Sequence, residues 1–305
     1  MRIFVTGTSG YIGGSIAAAL AAAGHQVCGL VRSERSAELV QGLGITPIHG
    51  TLDDADVLRT AAVRADAVIN AANADHEPSA QALLRALEGT GKAYIHTSGS
   101  SIVGTQSAGE RVDAVFDENT PVTPSSGRAA RVALNEVILS FKAKGVRSII
   151  ICPSLIYGIG HGPAKRSTQV PLLIELAKKT GVARHYGPGE NIWSNVHLDD
   201  LVELYLLALA SAPAGAFYFA ENGENSMKQV CEAINRALDV KTGTVPMSLD
   251  EASREWGEGT AQNTMGSNSR VRAVRARAEL GWRPSRPSLI DEIEGGCYAA
   301  CLVGR

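Results

Sequence analysis

The sequence predicts an α/β protein built on a doubly wound parallel sheet. Short apolar runs with strand character alternate with helical segments along most of the chain. The first run, residues 2–6, ends in a glycine-spaced turn that leads directly into an Ala-rich helical segment at residues 15–23. A strand that enters a helix through such a turn is typical of sheets with helices on both faces.

Three glycines, Gly7, Gly10 and Gly13, organise this opening. Gly7 permits a tight turn, Gly10 lets backbone N–H groups approach a pyrophosphate, and Gly13 lets the helix pack closely on the strand. An ordinary sharp turn would use the same glycines, but the flanking strand and helix favour a dinucleotide site at the positive end of the helix. The residues that we expect to contact the cofactor here are Thr6, Gly7, Ser9, Gly10, Tyr11, Ile12 and Gly13.

The Gly-xx-Gly-xx-Gly spacing after a Thr resembles the extended and atypical short-chain dehydrogenase/reductase superfamily, which includes NAD-dependent epimerases and dehydratases. Later segments, quoted below, extend the resemblance over nearly the whole chain. It implies a Rossmann-type sheet with strand order 3-2-1-4-5-6. It also implies an NADP-binding domain at residues 1–165, completed by parts of 190–222, and a smaller C-terminal substrate-binding region at residues 166–305.

Composition narrows the class of partner. The 305 residues carry 29 Lys and Arg against 31 Asp and Glu, a net charge of -2 that offers no basic field for nucleic acid. We therefore expect a small-molecule substrate.

The first strand starts at residue 2 and no apolar run reaches membrane length, so we expect a cytoplasmic protein. We expect it to be a monomer or a homodimer. The cysteines show no zinc spacing, so no metal is expected, and only Cys297 and Cys301 are placed to meet.

The second strand, residues 26–31, ends in a group of polar and basic residues. An acidic residue at this position would accept hydrogen bonds from the ribose hydroxyls of NAD, whereas a cation suits the 2′-phosphate of NADP. Arg32, with Ser33 and Arg35 in support, therefore predicts NADP(H) rather than NAD. The alternative is that these arginines are solvated residues of a surface loop.

The third and fourth strands lead into segments expected around the adenosine. After residues 45–50, the chain resembles the family's Gly-Asp-Leu-x-Asp segment, but Thr51 stands where the family has Asp. The adenine contact is then expected from the Leu52 backbone or from Asp53. After residues 67–72, small side chains either admit the cofactor backbone or serve plain packing; they are Ala71, Ala72 and Asn73.

The fifth strand, residues 93–97, precedes a stretch that resembles the family's Thr-Ser-Ser. There the last hydroxyl holds the substrate carbonyl, but in this chain its position falls on Gly99. Ser98 and Ser100 offer a hydroxyl within one residue, so both are candidate catalytic residues. The resemblance also places Thr97 beside the cofactor.

The superfamily's Tyr-x-x-x-Lys motif is altered. In the family the Tyr exchanges the proton, while the Lys lowers the pKa of the Tyr and binds the nicotinamide ribose. At the start of the predicted helix at residues 128–144, the Tyr position is Gly127 and the Lys position is Arg131. A guanidinium can hold the ribose or polarise a substrate oxygen, but its pKa above about 12 makes it a poor proton shuttle. The chain therefore resembles an atypical subgroup in which basic residues replace the tyrosine motif.

The sixth strand, residues 148–152, runs into a segment similar to the family's Arg-Pro-x-x-x-Tyr-Gly-x-Gly, with Cys152 in place of Arg. Tyr157 and His161 follow at the carboxyl edge of the sheet, where open α/β sheets bind ligands. Each is a candidate proton donor or a structural residue, and only His161 has an ordinary pKa close to neutrality. In the family, backbone beside the Pro contacts the nicotinamide amide; the corresponding residues are Pro153, Ser154, Leu155 and Ile156.

Residues 195–200 are similar to the family's Phe-Val-His-Val-Asp-Asp element. Near the end of the chain, three arginines precede the segment that resembles the family's C-terminal signature: Arg270, Arg272 and Arg275. In relatives that bind phosphorylated sugars an arginine here holds the diphosphate; the alternative is that the three arginines lie on a solvated helix face.

Taken together, these segments predict an NADP-dependent oxidoreductase acting on a small carbonyl or alcohol. Two alternatives stay open: an NADP-binding redox sensor or scaffold, and an epimerase or lyase that uses bound cofactor.

Overall fold

A computed structural model of the chain describes residues 1–303, apart from the side chains of Ser126, Cys301 and Val303. The expected meeting of Cys297 with Cys301 therefore lies outside the described residues. The strands are β1 Arg2–Thr6, β2 Gln26–Val31, β3 Thr46–His49, β4 Ala67–Asn70, β5 Ala93–Thr97, β6 Thr105–Gln106, β7 Arg147–Pro153, β8 Leu155–Tyr157, β9 Arg184–Tyr186, β10 Ile192–His197, β11 Ala216–Ala220, β12 Glu224–Ser226, β13 Val245–Met247 and β14 Ser267–Asn268.

The helices are distributed along the whole of the described chain. They are α1 Tyr11–Ala22, α2 Glu34–Gln41, α3 Ala55–Arg64, α4 Glu77–Ala86, α5 Ala129–Ser140, α6 Gln169–Thr180, α7 Leu198–Ser211, α8 Met227–Ala237, α9 Leu249–Trp256, α10 Glu258–Thr260, α11 Val274–Leu280, α12 Leu289–Glu294 and α13 Ala299–Val303.

The predicted doubly wound sheet is confirmed. Seven strands lie in the order β3-β2-β1-β4-β5-β7-β11, and every neighbouring pair is parallel. The expected order of the first six strands is therefore correct, with β7 as the sixth, and β11 adds a seventh from the later part of the chain. Because all strands run the same way, their carboxyl ends meet at one edge, where such sheets bind ligands.

The sheet is covered on both faces because its strands are apolar on both sides. In β1, Ile3 and Val5 pack with α1, α2, α7 and α11, while Phe4 points to the opposite face and packs with α3, α4 and α5. This is the alternation expected of a strand buried between two helical layers.

The chain leaves the central sheet after β7. Ser154 marks the departure, with its backbone N–H and its hydroxyl both donating to the carbonyl of Ala220. The next strand, β8, pairs with β10 instead, and a separate core forms from α6, α8, α12 and α13. This smaller body packs directly against the carboxyl edge of the sheet.

Two local predictions near the C-terminus are wrong. After the C-terminal signature the sequence predicts one helix at residues 288–301, but it is broken into α12 and α13 because the pair Gly295 and Gly296 interrupts it. Of the three arginines expected on one helix face, only Arg275 is helical, since α11 begins at Val274. Arg270 and Arg272 precede that helix.

Candidate active site

A cleft of about 810 Å³ lies at the carboxyl edge of the central sheet. It runs from the end of β2, across the turn after β1 and the end of β4, to the point where β7 passes into β8. Most of the predicted cofactor residues line it: Gly7, Ser9, Gly10, Tyr11, Ile12, Gly13, Arg32, Leu52, Asp53, Ala71, Ala72, Asn73, Ser154 and Ile156.

The glycine turn has the close contacts that its spacing predicts. Gly7 has φ of +78°, and a Cβ there would lie 2.7 Å from the Ala71 carbonyl oxygen. A Cβ on Gly13 would lie 2.5 Å from the Gly7 oxygen, which brings helix α1 onto β1. A Cβ on Gly10 would meet only the Gly7 oxygen, at 3.1 Å, and would otherwise project into the space of the cleft.

Helix α1 begins at this turn with free backbone donors. Its N-cap residue, Gly10, makes no side-chain capping bond, and its first turn contains no acidic residue. The first N–H groups of a helix have no intrahelical partner and carry partial positive charge. A diphosphate fits this position, because it accepts those hydrogen bonds and complements the charge.

Arg32 lies at the β2 end of the cleft, and Ser33 and Arg35 do not. Within the described part of the chain no hydrogen bond or ion pair engages the Arg32 guanidinium, and its side chain is exposed to the cleft. Ser33 instead caps α2 by accepting from the Ser36 N–H at 3.3 Å. Arg35 lies exposed on α2, outside the cleft lining.

The adenine end of the cleft contains a pair that the sequence did not reveal. The Nε2 of His76 lies 3.2 Å from Oδ1 of Asp53, and both residues line the cleft. Nδ1 of His76 accepts from the Ser79 N–H, so His76 also caps α4. With Nδ1 accepting, Nε2 carries the proton toward Asp53. Thr51 lines the cleft too, but its N–H and hydroxyl both donate to Asp54.

A buried polar network supports the floor of the cleft. Thr6 is fully buried and donates to Oδ1 of Asn70 at 2.6 Å, while its hydroxyl accepts from the Ala71 N–H. Asn70 donates in turn to the Tyr94 hydroxyl, and His96 lies beside both. Burial lowers the pKa of His96 to about 4, so it stays neutral. Thr6 thus holds the loop after β4 instead of lining the cleft.

Arg131 makes a bidentate ion pair with Asp75. Its Nε lies 2.6 Å from Oδ1 and its Nη2 lies 2.5 Å from Oδ2, while Nη1 donates to the Ser101 hydroxyl at 3.1 Å. These hydrogen bonds hold the pKa of Asp75 below its usual range. A Cβ on Gly99 would lie 3.3 Å from Nη1, so the missing side chain leaves room for the guanidinium.

The other hydroxyls near the end of β5 are engaged in buried contacts. Thr97 bonds the Tyr205 hydroxyl at 2.6 Å, and Ser98 accepts from Nδ2 of Asn135 at 3.1 Å. Ser100 accepts from the Ser269 hydroxyl at 2.8 Å. The structure therefore gives Thr97 and Ser100 packing partners and does not bring either to the cleft lining.

Tyr157 and His161 are not brought to the cleft lining. The Tyr157 hydroxyl donates to the Pro287 carbonyl at 2.9 Å, and burial raises the pKa of this phenol. Nε2 of His161 lies 2.5 Å from Oδ1 of Asp199. Both candidate proton donors therefore have partners outside the cleft lining, and their role in proton transfer stays a prediction.

Only part of the segment expected beside the nicotinamide, residues 153–156, lines the cleft. Ser154 and Ile156 line the cleft, whereas Leu155 packs in the C-terminal core and Pro153 lies in β7 outside the lining. Alternation along the strand accounts for this, because successive side chains point to opposite sides. The segment 167–169 completes the wall, and no sequence signal pointed to it.

The arginines that precede the C-terminal signature all have partners within the chain, although the Arg272 side chain is 41% exposed. Arg275 donates to Oδ1 of Asn119 at 3.0 Å. Arg270 makes a bidentate pair with Glu224, which Arg272 also contacts at 3.1 Å. Arg277 bonds Glu221 at 2.7 Å. Arg270, Arg272 and Arg277 are neutralised by carboxylates of the same chain, so they present no open anion site.

The fold and the cleft define a protein of the Rossmann dinucleotide-binding class. The family model for the NAD dependent epimerase/dehydratase family matches residues 3–219. The chain therefore belongs to that family.

Individual relatives cover most of the chain. An uncharacterized protein of Schizosaccharomyces pombe is 32% identical, with 98% of this chain and 100% of the relative covered. A ketoreductase of Stigmatella aurantiaca, whose name gives its substrate as 4-hydroxy-2-methyl-3-oxo-4-farnesyl-3,4-dihydroquinoline-1-oxide, is 28% identical, with 85% and 80% covered. Among solved structures, the UDP-glucose 4-epimerase of Thermotoga maritima with UDP-glucose is similar in fold, with TM-score 0.77, 18% identity and 96% of each chain covered.

The described residues of the range 1–303 contain neither a metal-binding cluster nor a membrane-spanning helix. No cluster of three or more His, Cys, Asp or Glu in this range is arranged to hold a metal ion. No helix in the same range has the length and apolar character needed to cross a membrane.

Proposed function

We propose that this protein binds NADP(H) in the cleft and transfers a hydride between the nicotinamide and a small carbonyl or alcohol. The observation that carries the proposal is the unpaired Arg32 guanidinium at the end of β2, in a cleft that opens on the glycine turn. No acidic side chain occupies position 32, where an NAD-specific site places one. The relative named as a ketoreductase supports a reductase.

Each part of the cofactor has residues suited to hold it. The amides at the start of α1 bind the diphosphate, and Arg32 binds the 2′-phosphate. Asp53 and His76 flank the adenine, and Ser154 with Ile156 lies at the nicotinamide end. Residues 1–165 would then serve as the cofactor domain, completed by parts of 190–222, and residues 166–305 would mainly bind substrate.

When bound, the nicotinamide would supply or accept the hydride. The chain would supply a positive charge near the reacting oxygen and hold the substrate in position. Arg131 is not itself in the cleft lining, but its guanidinium pairs with Asp75 in the loop after β4, where Asn73 and His76 line the cleft. There the guanidinium can hold a substrate oxygen that gains negative charge. It does not release its proton near neutrality, so the substrate proton comes from water in the open cleft.

The two alternatives receive less support. An epimerase acting on nucleotide sugars would need an anion site in the C-terminal region, where Arg270, Arg272 and Arg277 are paired with Glu221 and Glu224. A redox sensor would bind NADPH without oxidising it. If NADPH binds but a broad panel of aldehydes, ketones and imines gives no oxidation, the sensor displaces the enzyme.

We expect NADPH to bind more tightly than NADH, by about 1.5–3 kcal/mol, because Arg32 makes a charge-assisted contact with a phosphate that only NADPH carries. Arg32→Ala should remove that difference. Calorimetric titration of both cofactors against both proteins measures it.

Arg35→Ala is the matched control, since it removes the same charge three residues away, outside the cleft lining. It should keep the preference for NADPH. Equal affinities in the wild-type protein, or an unchanged preference in Arg32→Ala, would contradict the assignment to NADP.

We expect His161→Ala to change neither NADPH affinity nor turnover appreciably, because Asp199 holds the imidazole outside the cleft lining. Steady-state rates with the best carbonyl substrate measure this. A loss of about 10²-fold in turnover at unchanged cofactor affinity, the size of a lost general acid, would restore His161 as the proton donor.

A further inference from the structure

The end of β5 differs from the superfamily pattern at two positions that fit each other. Gly99 stands where the resemblance places a substrate-binding hydroxyl, and Arg131 stands where it places a lysine. The guanidinium fills the space that Gly99 leaves, at 3.3 Å from the position of a Cβ there. A fixed cation therefore replaces the hydroxyl as the donor closest to the expected position of the substrate oxygen.

Asp75 fixes the direction of that cation. Because Nε and Nη2 both bond its carboxylate, the guanidinium plane is set and the Nη1 edge faces Gly99 and Ser101. The Arg131 side chain is only 14% exposed, so little water competes for it. Three of its five N–H groups are engaged in these contacts, which leaves donors for a ligand.

A guanidinium and a phenol favour different substrates. A phenol donates its proton as the charge develops, so it suits a simple ketone, whose alkoxide is strongly basic. A guanidinium stabilises an oxygen anion but keeps its proton. It suits a substrate in which the negative charge is delocalised and can persist until water delivers a proton.

We propose that Arg131, positioned by Asp75 in the space beside Gly99, holds the oxygen of a conjugated carbonyl substrate such as an enone or a quinone. This inference rests on the proposed function and names its substrate class. Asp75 is a positioning residue, because it acts through Arg131.

The reaction balances without a side-chain acid. At an enone the hydride forms a C–H bond at the β carbon, the C=C electron pair moves to the bond between the α carbon and the carbonyl carbon, and the C=O pair moves to oxygen. Arg131 holds the resulting enolate oxygen. Water then gives a proton to the α carbon and is left as hydroxide, and the C=O bond reforms; the hydride and its two electrons would come from NADPH, leaving NADP⁺.

The first test needs no turnover. 4-Nitrophenol forms a delocalised oxygen anion with its own absorbance, so its ionisation when bound reports on the cation directly. We expect the pKa of bound 4-nitrophenol to fall by on the order of 1 unit in the wild-type protein and to return to its aqueous value in Arg131→Met. Gly99→Ala keeps the charge but displaces Nη1, and should reduce the shift.

Arg59→Met is the control for loss of a surface arginine, because Nη2 of Arg59 pairs with Oδ1 of Asp56 at 2.8 Å and Arg59 lies outside the cleft lining. It should leave the nitrophenol shift unchanged. Thermal unfolding and NADPH titration check that each variant folds and binds cofactor. An aqueous pKa for nitrophenol in the wild-type protein, or the same shift in Arg131→Met, would overturn the inference.

The second test compares 2-cyclohexenone with cyclohexanone, which differ only in conjugation. We expect kcat/KM for the enone to be higher by about 10²-fold or more, the contribution that a missing general acid makes to a simple ketone. Asp75→Asn should lower kcat for the enone more than it changes KM or the NADPH affinity, whereas Asp56→Asn should change none of them.

The failures of the two proposals are distinguishable. Equal rates for the enone and the saturated ketone would overturn the substrate class and leave the oxidoreductase intact. If NADPH binds but neither carbonyl compound nor any other in the panel oxidises it, the proposed function fails.

Discussion

Gly10→Val should abolish NADPH binding while the protein stays folded. The isopropyl group would occupy the space in front of the first N–H groups of α1, and the diphosphate could no longer approach them. Loss of two charge-assisted hydrogen bonds corresponds to about 3–6 kcal/mol, so we expect the affinity to fall by at least about 10²-fold. Calorimetric titration with NADPH measures the change.

The fold should survive because Gly10 has φ of -86° and a Cβ there meets only the Gly7 oxygen, at 3.1 Å. We expect the free energy of unfolding to fall by about 1 kcal/mol. Gly42→Val is the control, since Gly42 also has an ordinary φ, of -59°, and lies outside the cleft. A folded Gly10→Val protein that binds NADPH normally would show that the glycines serve packing alone.

Gly13→Val should have the opposite signature, a large loss of stability. A Cβ on Gly13 would lie 2.5 Å from the Gly7 oxygen and 2.8 Å from the Gly7 carbonyl carbon. These are backbone atoms of the turn and cannot rotate away, so α1 has to move off β1. We expect a loss of about 3 kcal/mol or more in the free energy of unfolding, measured by denaturant titration without cofactor.

Ala22→Val separates this clash from the lower helix propensity of valine, because Ala22 is an exposed residue of the same helix. It should cost only about 0.5 kcal/mol. A Gly13→Val protein as stable as Ala22→Val would show that the close contact between α1 and β1 is not needed.

The cofactor end of the cleft could be predicted because its signals are local. The three glycines lie within seven positions, directly after a strand, and each clash that the structure shows follows from that spacing. Arg32 was predictable for the same reason, since it directly follows β2 and parallel strands end at one edge of the sheet. The order of the first six strands followed from the resemblance, and the apolar pattern of the strands supported it.

The catalytic end of the cleft could not be predicted in the same way. Arg131 was identified by its position on α5, but its partner Asp75 lies 56 residues earlier in the loop after β4. Tyr157 bonds a carbonyl 130 residues away, and His161 bonds Asp199 across 38 residues. Nothing in the sequence around these residues specifies such partners.

The sequence by itself determined the fold class, the glycine turn and the position of Arg32, the cation on which our proposal of NADP rests. These depend on backbone conformation and on strand direction, which neighbouring residues set. Tertiary structure alone decided which polar side chains stay free and which are engaged: Arg32 faces the cleft, Arg131 is fixed by Asp75, and Tyr157 and His161 are held by distant partners. A hydrogen bond between side chains depends on distances between elements that only packing brings together, and packing gave both candidate proton donors partners outside the cleft lining.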